Sequence, residues 1–78
     1  MAFTNNNIPE LTFEETIKRD YPIDKVFKVI KSVPSWQIGE IAVVKEYIFN
    51  DKDTPPVIFR TESNCGWSTI ALDAVKEI

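Results

Sequence analysis

The stretch Pro22-Ile23-Asp24-Lys25-Val26-Phe27-Lys28-Val29-Ile30-Lys31-Ser32-Val33 decides the fold, because it can be read in two ways. Ile23, Val26, Phe27, Ile30 and Val33 recur at helical spacing, the lysines occupy the other side, and Pro22 suits a first helical turn. As a helix it would join a preceding one, giving an α+β fold with two helices on a three-stranded antiparallel sheet. Against this, Val26, Val29, Ile30 and Val33 are β-branched, and the stretch holds neither alanine nor leucine. As a strand it places Phe27, Val29 and Val33 on one face, with Lys31 interrupting.

Towards the N-terminus, residues 1–11 read as a flexible leader; Asn5-Asn6-Asn7 offers turns and nothing to bury. Thr12-Phe13-Glu14-Glu15 matches a capping box, in which hydroxyl and carboxylate each satisfy an orphan amide. A helix over 12–20 follows, with Phe13 and Ile17 as its inward stripe. Pro22 disfavours helical geometry at Tyr21 and ends it. About two turns cannot persist alone, so this helix must lean on the rest of the chain.

Towards the C-terminus the signals are β. Residues 34–40 form a loop whose Gly39 can take positive φ. Glu40 to Phe49 reads as a strand with Ile41, Val43, Tyr47 and Phe49 inward. The polar segment 50–56 is a turn ending in Pro55-Pro56, and Val57 to Thr61 is a strand. Ser63-Asn64-Cys65-Gly66 turns the chain into a strand over Trp67 to Ile70, and Asp73 to Ile78 closes it.

Seventy-eight residues suffice for one small domain, placed here at 12–78. Apolar residues at 44% and aromatics at 12% suit a packed core rather than a disordered chain. No apolar run approaches the roughly 18 residues of a membrane span, and residues 1–7 lack the basic and apolar regions of a signal peptide. The expectation is a cytoplasmic protein with no membrane partner. A single cysteine cannot close an internal disulfide, and without histidine the usual zinc sets and the usual neutral-pH general base are missing. No enzyme, no cofactor and no metal is expected. Asp51 and Asp53 offer too few oxygens for calcium, and Cys65, flanked by Asn64 and Gly66, reads as an incidental thiol.

From Val29 onward the chain resembles a small SH3-like barrel, in which five short strands curl into a closed sheet. The likeness rests on Lys28-Val29-Ile30-Lys31-Ser32-Val33, then Pro34, then Gly39-Glu40-Ile41-Ala42-Val43-Val44: a first strand, a long loop and a glycine–acid pair opening the second. It rests also on Ile70 to Ile78, which resembles a fourth strand passing through a 3₁₀ turn into a short fifth. The resemblance assigns residues 26–33 to strand and implies a mainly β fold: a helix over 12–20 and a barrel over 26–78. Ala71 and Ala74 stand where peptide-binding members carry a proline and a tyrosine, so proline-rich recognition is not implied. Pro56 to Arg60 and Ala71 to Val75 are also similar to photosystem I reaction-centre subunit IV, which would imply an accessory subunit of an electron-transfer complex; Arg60 alone carries over from its basic docking residues. The overall look resembles small uncharacterised phage proteins.

Nine basic and twelve acidic residues leave a net charge of −3, unevenly spread. Residues 25–45 hold Lys25, Lys28, Lys31 and Lys45 against Glu40 alone, a row that could meet phosphates or serve as a solvated face. Trp36 and Trp67 are either interface anchors or core plugs. The expectation is a non-enzymatic module that binds another protein through Trp36, Gln37, Arg60 and Trp67. In its concrete form this is a phage-encoded factor acting on a host protein in the host cytoplasm. The second class is nucleic-acid binding through the four lysines.

Overall fold

The computed structural model describes residues 11–78. One helix precedes five strands: α1 (Phe13–Asp20), β1 (Val26–Val29), β2 (Ile41–Tyr47), β3 (Val57–Thr61), β4 (Trp67–Thr69) and β5 (Val75–Glu77), with a 3₁₀ turn at Leu72–Ala74 leading into β5. All five strands form one antiparallel sheet in the order β4-β3-β2-β1-β5. The fold is therefore mainly β, as the strand reading requires, and the two-helix alternative falls. The expected leader lies outside the described residues, save for its last member, Leu11, which is exposed.

The deciding stretch became a strand through pairing, which periodicity does not see. β1 is a central strand, with Phe27 opposite Ala42 on one side and Glu77 on the other. Its burial alternates with period two, Phe27 and Val29 inward and Val26 and Lys28 outward. Ile23, Val26 and Ile30, which a helix would have buried, all stay exposed. The expected strand over 26–33 is nevertheless too long. After Val29 the chain bends away, and Val33 reaches the core from a tight turn bridged to Trp36. Pro34 precedes Ser35 at φ 70° there, the sequence of geometries in a type II turn.

Gly39 takes φ +94° and donates to the Val29 carbonyl at 2.7 Å, while the Val29 N–H donates to Glu40 at 2.9 Å. This pair closes the base of the long β1–β2 loop. No neighbour lies within 4 Å of where a Cβ would stand, so the backbone conformation, not space, calls for glycine.

β2 departs from the expected inward set Ile41, Val43, Tyr47 and Phe49. Ala42 and Val44 join the core, then Tyr47 and Phe49. A β-bulge between Val44 and Glu46 inserts one residue and switches the alternation, so the expected phase holds only beyond it.

The core holds Phe27, Val29, Trp36, Ala42, Val44, Val57, Phe59, Ile70, Ala74 and Val75, with Ile17 added from α1. The capping box is complete: the Thr12 hydroxyl accepts from the Glu15 N–H at 3.1 Å, and the Glu15 carboxylate accepts from the Thr12 N–H at 2.8 Å. Phe13, expected inward, is 63% exposed, its ring T-shaped to that of Phe49 at 6.3 Å between centres. Ile17 alone in α1 is buried. The helix is otherwise held by Lys18 over the Tyr47 and Phe49 rings and by Tyr47 Oη donating to the Tyr21 carbonyl at 2.8 Å.

Candidate functional site

The two tryptophans lie on opposite faces of the sheet. Trp36 is 7% exposed and belongs to the core, its Nε1–H donating to Ser68 Oγ at 2.7 Å. Of its two sequence readings the burial matches the core plug, with one edge of the residue lining a cleft at the β4 edge. Trp67 is 62% exposed. It opens β4 on the outer face, because Phe59 and Ser68, one step along the ladder, occupy the inner one.

Arg60 lies directly opposite Trp67, Val43 opposite Arg60, and Val26 opposite Val43. The outer face thus carries a registered row of Trp67, Arg60, Val43 and Val26 across four strands. Cross-strand neighbours like these sit within contact distance, which makes the row one surface. Val43 and Ile58 are buried there without belonging to the main core, forming a thin apolar layer beneath the polar side chains.

The bulge in β2 builds the flank of this surface. Consecutive strand residues normally point to opposite faces, yet Lys45 Nζ lies 3.1 Å from Glu46 Oε1. The extra residue brings both side chains to one side, and Lys45 Nζ stands 5.3 Å from the centre of the Trp67 ring. The Arg60 guanidinium donates to the carbonyls of Thr61 at 3.1 Å and Glu62 at 3.4 Å, with Asp24 at 3.9 Å. Backbone acceptors thus fix the guanidinium of the residue that stands opposite Trp67 in the ladder. At the β4 edge a cleft of about 220 Å³ is lined by Ser35, Trp36, Thr61, Gly66, Trp67 and Ser68. Gln37 is exposed in the β1–β2 loop, does not line that cleft, and its N–H donates to Glu40 Oε1 at 3.0 Å.

The lysine row does not gather. Lys25 meets Glu77 at 3.0 Å, Lys31 meets Asp73 at 3.3 Å and Lys45 meets Glu46. Lys28 alone of the four has no carboxylate within 4.0 Å among the described residues, and Lys76 stands directly opposite it.

Two polar features escaped sequence reasoning. The Cys65 thiol is exposed and lies 3.0 Å from Ser63 Oγ and 3.5 Å from Thr61 Oγ1; these hydroxyls hold its pKa below the ordinary thiol value. The adjacent residues Asn64 and Gly66 offer no such partner; Ser63, two residues away, reaches the thiol only because the turn folds its hydroxyl back, and Thr61 joins it from across the turn. Asp51 accepts from Thr54 Oγ1 at 2.7 Å and from the Asp53 N–H at 3.0 Å, which lowers its pKa and fixes the β2–β3 loop. Among the described residues, no three of the histidine, cysteine and carboxylate side chains cluster as metal ligands would, and no helix is long and apolar enough to cross a membrane. In comparison with known proteins, no family model, no curated protein and no solved structure matches this chain.

Proposed function

We propose that this chain is a non-enzymatic protein-interaction module whose contact surface is the outer face of the sheet, centred on Trp67 and Arg60. The observation that carries the reading is that one tryptophan is exposed beside a backbone-held arginine while the other is buried. A small domain has few large apolar side chains, and leaving an indole in water forfeits stability unless a partner covers it. Tryptophan and arginine are also the side chains most enriched among residues that dominate binding energy. Gln37 stays in the contact set as an exposed loop side chain. The strand order and the 3₁₀ turn before β5 support a place in the SH3-like superfamily, and the likeness to small phage proteins makes a host protein the target in this reading.

The lysine-based nucleic-acid reading is the weaker one, since three of its four members already face a carboxylate within 3.3 Å. The test is affinity capture from source lysate with wild type and Trp67→Ala, each with and without nuclease. Protein-interaction function predicts one prey that survives nuclease and disappears with Trp67→Ala. Prey that vanishes on nuclease treatment would shift the function to nucleic acid.

A further inference from the structure

Lys28 and Lys76 are directly opposite each other in the β1–β5 ladder. Like charges in that position repel and lower stability. Of the other seven cations of the described chain, Arg19, Lys25, Lys31, Lys45 and Arg60 have carboxylates within 4.0 Å. Lys18, Lys52 and this pair have none among the described residues, and of these only Lys28 and Lys76 stand opposite a like charge on the sheet. A lysine on β5 serves to blunt an exposed sheet edge. That role does not explain Lys28, which lies on a central strand. Lys28 also faces Ile41, and Val26, two residues earlier on β1, ends the Trp67 row. The lysine pair therefore continues the outer surface beyond the Trp67 row. It adds two positive charges that no carboxylate offsets there, since Lys45 and Arg60 on the same side already face Glu46 and Asp24, on a chain of net charge −3.

We infer that the partner of the outer face is an acidic protein segment, its apolar side chains meeting Trp67 and Val26 and its carboxylates neutralising Lys28 and Lys76. The inference rests on the protein-interaction reading above and adds the chemistry of the partner to it. An acidic segment would relieve the cross-strand repulsion on binding, so the pair is weak for the free fold and strong for the complex.

The replacement Lys76→Glu separates these roles. It turns a repelling pair into an attracting one, so it raises the thermal midpoint of the free domain while weakening the complex. The full chain is used to select from a random dodecapeptide library, and the enriched peptides are titrated into wild type, Lys76→Glu and Trp67→Ala. The expected result is a pool rich in Asp and Glu alongside apolar residues, with affinity falling about tenfold or more in both variants and falling with added salt. Loss with Trp67→Ala, but with an unbiased pool or unchanged affinity in Lys76→Glu, overturns the acidic partner and leaves the interaction face standing. Equal binding by Trp67→Ala overturns the face itself, and a library that fails to enrich counts against both. Binding of a twenty-nucleotide oligothymidine that is lost in Lys76→Glu overturns the proposal in favour of nucleic acid.

Discussion

Trp36 and Trp67 carry the same side chain and opposite assignments, and the difference lies in their neighbours. Trp36 follows a turn that folds it back under β4, where Ser68 accepts its indole N–H. Its truncation to alanine removes a buried ring, at a cost of about 3–5 kcal/mol. That rivals the whole stability of a domain of this size, on the order of 4–10 kcal/mol. Denaturant titration should therefore show Trp36→Ala largely unfolded and Trp67→Ala within about 1 kcal/mol of wild type. Acrylamide should quench Trp67 readily and Trp36 hardly at all. Neither position could be resolved from the sequence alone, since both lie beside turns and neither sits in a periodic run that fixes its face. The Arg60–Trp67 pairing was likewise hidden, because it depends on the register of the β3–β4 hairpin.

At the scale of elements, local chemistry was read well and long-range pairing less so. The capping box, the stop at Pro22, the glycine turn and the strand from Val57 to Thr61 follow from residues close together in the chain. The length of β1, the reversal of phase in β2 and the exposure of Phe13 do not, because each is set by a partner strand or a bulge. Helix α1 tests the point. Its Glu15 carboxylate has a lowered pKa because it accepts the Thr12 backbone N–H and is bonded to the Thr12 hydroxyl. A carboxylate whose pKa falls on folding adds stability above the unfolded range near pH 4.3, and that addition is lost as pH drops through the folded value. Asp20 acts with the same sign through Arg19. Protection of the α1 amides, taken relative to the exchange rate of an unstructured chain at the same pH, should accordingly fall below about pH 4 while the sheet stays protected. Glu15→Gln keeps an acceptor for the capping bond and should reduce that dependence, whereas Thr12→Ala should cost about 1 kcal/mol of helix stability at neutral pH.

At the scale of the whole molecule, the sheet divides the chain into two sides. The inner side is filled by aromatic and β-branched residues and closed by α1, the long loop and the 3₁₀ turn. Among the described residues the outer side has only Val43 and Ile58 well covered, and it gathers Trp67, Arg60, Lys45, Lys28 and Lys76 from five different strands. Composition disclosed the acidic balance but not this sorting, because charge is assigned to a face only once register is known. The central claim is that the outer side binds and the inner side folds. The two indole N–H signals report one side each, so a nitrogen–proton correlation spectrum of the labelled chain, titrated with the captured protein, tests the claim directly. The account predicts that Trp67 Nε1–H shifts together with the amides of Val26, Val43 and Arg60 while Trp36 Nε1–H stays in place. Shifts confined to Trp36, α1 or the β2–β3 loop would contradict it.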